Sequence, residues 1–154
     1  MGSLGVYFAI TSERATALAE ATGDDDALVE VVQEIEKLWD EEHLFQADKG
    51  WDAIYRALGD GTLDLCGLGG EMLNTEDSYF VVHMDLDEVR SAAARLAVFS
   101  ESTLRERYFA LDFPDYPGKN AEDWDYTWSC FQGLPDFFAK AARDGRDVIF
   151  TVDQ

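Results

Sequence analysis

Apolar residues recur along this chain at two spacings, and each change of spacing marks a change of element. Leu4–Ile10 is a short, nearly continuous apolar and aromatic run, the pattern of a buried strand. Thr11, Ser12 and Glu13 then offer an N-cap and an acidic first turn, so a helix is expected over about Ser12–Thr22, stopped by Gly23. Asp24, Asp25 and Asp26 open the next helix. In it Leu28, Val31, Val32, Ile35, Leu38 and Trp39 recur at spacings of three and four, with Glu30, Glu34, Lys37 and Glu41 on the other side. That pattern predicts an amphipathic helix over about Asp26–Glu42.

His43–Gly50 reads as a loop. Trp51, Ile54, Tyr55 and Leu58 share one face of a short helix over Trp51–Leu58. Gly59, Gly61, Gly67, Gly69 and Gly70 break regular structure, so Gly59–Asn74 is expected to be irregular. Tyr79–Met84 is a second strand, and Asp85 caps a helix whose buried stripe is Val89, Ala92, Ala93 and Leu96. Ser100 or Ser102 starts another helix, carrying Leu104 and Tyr108. Leu111–Glu122, with Pro114 and Pro117, is a loop. Trp124, Trp128, Phe131, Leu134, Phe138 and Ala142 mark a long aromatic helix ending near Gly145, which Pro135 forces to kink or restart near Gly133. Asp147–Val152 is the third strand.

Three strands far apart in sequence, separated by helices, predict an α+β fold: a small sheet packed against several amphipathic helices, in a single domain over residues 1–154. Whether the first and last strands are sheet neighbours is left open by the pattern. A hydrophobic share of 47% with 13% aromatics supplies a core and argues against disorder. The apolar runs are too short to span a bilayer, and the N-terminal residues carry no secretory or myristoylation signal, so a cytoplasmic, non-membrane protein is expected. Cys66 and Cys130 form no C-x-x-C pair and are read as reduced, core-packed thiols.

Charge narrows the partners. The chain has 32 Asp and Glu against 12 Lys and Arg, a formal net charge of −20. Such a surface repels phosphate backbones, which disfavours nucleic acid, and attracts basic proteins and cations. An acidic protein that mimics DNA stays compatible with it. The excess is uneven, with 12 acids against 3 bases over residues 1–50 and 11 against 6 over residues 101–154.

Each candidate for chemistry competes with a plainer reading. His83-x-Asp85-x-Asp87 offers imidazole and carboxylates that suit a transition metal on one strand face. The alternative is a strand end followed by a capped helix start, and no metal is assigned. Asp24, Asp25 and Asp26 lack the spacing and distal Glu of a calcium loop. Gly67-x-Gly69-Gly70 lacks the Lys of a phosphate loop, and the next charges, Glu71, Glu76 and Asp77, are acidic. His43 and His83 lie near no nucleophile elbow. Trp51, Trp124 and Trp128 suit an aromatic pocket but sit at core spacing. Arg105, Arg107, Lys119, Lys140, Arg143 and Arg146 read as partners in surface ion pairs with neighbouring acids. No catalytic residue and no cofactor is assigned.

Several stretches together resemble the YfbM-like family of small bacterial proteins, a domain of unknown function. They are Leu4–Ala9, Lys49–Tyr55, Leu68–Glu71, the strand-to-helix run Val81–Val89, Leu104–Tyr108, and Phe137–Ala142 through Gly145 to Val148–Phe150. The resemblance covers nearly the whole chain and implies a single α+β domain, with no catalytic residues to carry over. The chain departs from the family pattern at Ala57–Gly61 and after Tyr116-Pro117.

Two functional expectations follow. In one, the protein is a non-catalytic acidic interaction protein that binds a basic protein partner, as an inhibitor or immunity-type protein. The face involved is Asp24, Asp25, Asp26, Glu30, Glu34 and Glu41. In the other, it binds a small ligand, or is an enzyme, at a site in the loops 59–74 and 111–122, with Trp51, Asp52 and Glu71 as lining residues.

Overall fold

The computed structural model describes residues 3–61, 63–75, 79–112 and 119–153. Among them, seven α-helices, one 3-10 turn and five strands follow the order β1 (Leu4–Ile10), α1 (Ser12–Ala21), α2 (Asp25–Leu38), the 3-10 turn Glu41–His43, β2 (Leu44–Asp48), α3 (Trp51–Leu58), β3 (Glu71–Met72), β4 (Tyr79–Met84), α4 (Leu86–Ala97), α5 (Glu101–Phe109), α6 (Ala121–Phe131), α7 (Leu134–Arg143) and β5 (Asp147–Asp153). The strands form one antiparallel sheet in the order β2-β1-β5-β4-β3. The first and last strands are therefore neighbours, paired from Leu4↔Asp153 to Ile10↔Asp147. The architecture is α+β, as the pattern predicts.

The strand period of two divides the core. Tyr7, Ala9, Val82, Met84, Val148 and Phe150 point to one face, where α3 to α7 pack. Phe8, Ile10, Val81 and Ile149 point to the other, which α1 and α2 cover. Both faces of the central strands are buried, which is why β1, β4 and β5 read as continuous apolar runs and stand out in the sequence.

Three expectations are corrected. The His43–Gly50 segment contains β2, an edge strand that buries Ala47 and leaves Gln46 and Asp48 exposed. Its five residues show little alternation because the strand is only half-buried. The Gly59–Asn74 stretch contains β3, two residues paired to Val82 and His83. The second helix ends at Leu38, four residues early, because Trp39 takes a left-handed conformation at φ 41°.

Other boundaries agree with their local chemistry. Thr11, Asp24, Ser100 and Asn120 each accept a backbone N–H at a helix start. Asp85 and Glu88 form a reciprocal capping box on α4. The aromatic helix divides into α6 and α7 at Gly133, with Pro135 in the first turn of α7, where its missing N–H costs nothing. A Cβ at Gly133 would stand 2.6 Å from the Phe45 ring, so this junction approaches β2 closely only with glycine there. Among the described residues, no helix is long and apolar enough to cross a membrane.

Candidate functional site

A broad concavity lies where α2 leaves part of the sheet uncovered. It is an open groove of about 660 Å³. Leu4, Val6 and Phe8 of β1, Val29 and Val32 of α2, and Trp39 give it apolar walls, with Tyr79 and Thr151 from the neighbouring strands. Asp25, Asp26, Gln33 and Glu36 border it along α2. The groove therefore joins an apolar floor to an acidic rim.

Two of its apolar residues are unusually exposed for their size, Leu4 at 52% and Trp39 at 38%. The left-handed backbone of Trp39 sets its indole edge-on to Phe8, with ring centroids 5.9 Å apart. A bulky residue in that conformation costs about 1–2 kcal/mol, and such strain concentrates at working sites. Sequence reasoning placed Trp39 in the buried stripe of α2. The available signal was that no glycine follows Leu38 to end the helix.

The six acids of the expected face do not share one surface. Asp25 and Asp26 border the groove, and Asp24 is spent on capping. The Asp25 carboxylate also accepts from the Thr75 N–H and hydroxyl, the latter at 2.9 Å, which ties α2 to the segment before β4. Glu34 turns toward α1 and pairs with Arg14 at 2.9 Å. Glu30 is solvent-exposed on the outer face, and Glu41 stands in the 3-10 turn beyond the helix. Glu36 joins the rim without having been predicted.

A second crevice, of about 350 Å³, separates Gly59–Gly61 from Ala110–Asp112, with Arg56 and Arg107 in its wall. The remainder of the predicted 111–122 loop includes residues 113–118, among them Pro114 and Pro117, which lie outside the described residues, as do Thr62, Glu76 and Asp77. Trp51, Asp52 and Glu71 do not line this crevice. Trp51 is buried against Phe150 and donates its Nε1–H to the Ser3 carbonyl at 2.8 Å. Asp52 accepts from Arg56 Nε at 2.6 Å and so orients one crevice residue from behind. Glu71 is exposed on β3.

The remaining candidates are placed apart. His83 bonds Asp147 Oδ2 across β4 and β5 at 2.8 Å, Asp85 caps α4, and Asp87 lies at the surface beside Arg90. No three His, Cys, Asp or Glu among the described residues gather as a metal would require. His43 bonds Asp40 at 2.7 Å, and that hydrogen bond holds the Asp40 carboxyl below its usual range. Trp124 and Trp128 stack at 5.9 Å, and Trp51 belongs to the same core cluster, so all three serve packing. Burial pushes both the Cys66 and Cys130 thiols up, away from reactive thiolate.

Among the described residues, four of the six basic residues of the last third hold backbone carbonyls and close no ion pair: Lys140 holds that of Glu42 at 2.6 Å, Arg146 that of Ala9 at 3.2 Å, Lys119 that of Phe109 at 3.0 Å, and Arg107 those of Leu58 and Gly59. Arg105 instead lies over the Phe109 ring.

The sequence pattern of a family described as a domain of unknown function, DUF1877, matches residues 1–151. The chain belongs to the DUF1877 family. Its fold is similar to that of YfbM from Escherichia coli, itself a protein of unknown function. The two share 19% identity and a TM-score of 0.68, over 97% of this chain and 99% of that one. At that identity the likeness speaks for the fold alone. No curated protein matches the chain. Membership in DUF1877 supplies no reaction, so the groove and the crevices carry the functional argument.

Proposed function

We propose that this DUF1877 protein is a non-catalytic interaction protein whose α2 groove receives a basic, partly apolar segment of a protein partner, as an inhibitor or immunity-type protein would. The observation that carries this reading is the groove itself, an apolar floor with exposed Leu4 and Trp39 under a rim of Asp25, Asp26 and Glu36. A cationic segment with apolar side chains satisfies both parts at once. The overall charge of −20 steers such a partner inward and repels nucleic acid and anionic surfaces.

The test is a titration with a synthetic Lys/Leu amphipathic peptide, read by backbone amide shifts. Saturable shifts at Leu4, Val29 and Trp39 are expected, weakening as NaCl rises. Asp26→Lys and Leu4→Lys should each weaken binding by about tenfold. A peptide of the same charge without leucines should not bind. Absence of saturable shifts, or equal binding by both variants, overturns the reading.

The crevice between Gly59–Gly61 and Ala110–Asp112 favours the second reading, a small-ligand or enzyme role in those loops. Screening small polar molecules by amide shifts at Gly59, Gly61 and Leu111 tests it. Hits clustered there support it, and a screen without a hit at those residues counts against it.

A further inference from the structure

On the sheet face opposite α2, the end of α3, the end of α4 and the start of α5 enclose an open crevice of about 420 Å³. Its lining is basic and apolar, against the acidic balance of the whole chain. It presents two guanidiniums, Arg95 and Arg107, the hydroxyl of Thr103, and the apolar side chains of Val98 and Phe99, and no Asp or Glu lines it. In a chain with 32 acids, that is a local reversal of sign.

Both arginines are held in place by backbone. Arg95 Nη2 donates to the Leu58 carbonyl at 2.6 Å, and its Nη1 donates to the Gly67 carbonyl. Arg107 Nη1 reaches the Leu58 and Gly59 carbonyls at 3.4 Å each, and its guanidinium lies 5.2 Å from the Phe99 ring centroid. Among the described residues the ion pairs made by arginine are Arg14–Glu34, Arg56–Asp52 and Arg90–Asp87, so neither Arg95 nor Arg107 is neutralised by a carboxylate there. The negative end of α3 offsets only about half a charge. A guanidinium has five N–H donors, and the contacts to carbonyls use a minority of them. The fork of Arg107 is therefore preorganised by Phe99 on one side and the α3 carbonyls on the other, which lowers the entropy cost of a new contact.

We infer that this crevice binds a small oxyanion attached to a flat apolar group. The phosphate or carboxylate oxygens sit on the Arg95 and Arg107 donors with Thr103, and the apolar body lies against Phe99 and Val98. The site is independent of the basic-partner groove, which uses other elements on the other face, so either can fail alone.

The experiment is an amide-shift titration at physiological salt with phenyl phosphate and with benzoate, and with benzyl alcohol as the uncharged control. Saturable shifts at Phe99 and Thr103, without shifts at Gly61 and Leu111 of the neighbouring crevice, are expected with at least one of the two anions, and none with benzyl alcohol. Val98 is 77% exposed, so Val98→Glu leaves the fold intact while placing a carboxylate at the rim. It should weaken binding by about tenfold, the scale of one like charge a few ångströms away at surface dielectric. Arg107→Lys keeps the charge and loses the fork, and should weaken binding as well. The inference is overturned by no saturable shift with either anion, by equal binding of benzyl alcohol, or by unchanged affinity in both variants.

Discussion

The hydroxyl of Tyr7, on the central strand β1, donates to the hydroxyl of Tyr55, on α3, at 3.0 Å, and neither ring is more than 2% exposed. Burial drives the Tyr7 phenol well above its ordinary pKa, with the Tyr55 neighbour adding to the shift. This one polar contact sits inside an aromatic cluster in which Tyr7 stacks on Phe150 at 4.5 Å and meets Phe138 edge-on at 5.7 Å. Tyr55→Phe leaves the Tyr7 hydroxyl buried without its acceptor, at a cost of about 1–3 kcal/mol. The double variant Tyr7→Phe/Tyr55→Phe removes both hydroxyls and should cost less than Tyr55→Phe alone. Urea denaturation of the set, read as a double-mutant cycle, checks the order.

The same cluster shows what was legible in the sequence. β1, β4 and β5 announced themselves because both faces of each are largely buried, so most positions select an apolar side chain. The helices were legible from their stripes and caps, down to the break at Gly133. β2 was not, because an edge strand with exposed Gln46 and Asp48 shares its composition with loops. The groove was half legible. Asp25 and Asp26 were visible as part of a run and Glu36 was not, its floor is assembled from β1, α2 and β5, and its most telling residue, Trp39, depends on a backbone angle that periodicity does not carry. Arg95 and Arg107 come together with carbonyls nearly 30 to 50 residues away, a relation no local pattern encodes.

Gly70 should prove irreplaceable. It holds φ +99°, and a Cβ there would stand 2.7 Å from the His83 carbonyl oxygen, a backbone atom that cannot step aside. Its N–H donates to Glu88 Oε2 at 2.5 Å, which links the glycine-rich segment to the α4 cap. Gly70→Ala should therefore destabilise the protein by roughly 1–3 kcal/mol through strain in the left-handed region and loss of that link. The drop in denaturation midpoint measures it. An unchanged midpoint would show that the segment relaxes freely.

Thr127, on α6, is fully buried, and its hydroxyl is without a hydrogen-bond partner among the described residues. Valine has nearly the same shape and stays β-branched, so Thr127→Val should stabilise by about 1 kcal/mol as the desolvation cost disappears. Thr127→Ser keeps the hydroxyl and opens a cavity, and should destabilise instead. Thermal melts of the two variants are expected to move in opposite directions.

Both thiols should react slowly. Burial raises the Cys66 thiol, and the Asp64 carboxylate adds to it, while burial also raises Cys130 against weaker lowering contacts from Tyr126 and Ser129. At neutral pH the thiolate fraction of each falls below that of an ordinary cysteine. Alkylation of the native protein by iodoacetamide should therefore lag behind a model thiol, with Cys66, the half-buried one, reacting before Cys130. Peptide mass analysis over time distinguishes the two sites, and rapid labelling of Cys130 would contradict the buried arrangement.

Asp40 gives the chain a pH dependence of known sign. Its carboxyl is held below the ordinary value chiefly by the hydrogen bond with His43, with Arg146 adding a smaller attraction. A carboxyl lowered by folding stabilises the native state above its unfolded pKa, near 3.8, and loses that contribution as pH falls through its lower folded value. The Asp40 side chain is 41% exposed, so solvent screening holds the effect to a few tenths of a kcal/mol. Acid also relieves repulsion among the other carboxylates of this −20 chain, which works in the opposite direction and would mask a single-protein profile. The difference between the native protein and Asp40→Asn removes that common background. It should be present at pH 6, where the carboxylate is charged, and shrink as pH falls below about 3.8. A difference independent of pH would assign the role of Asp40 to shape rather than charge.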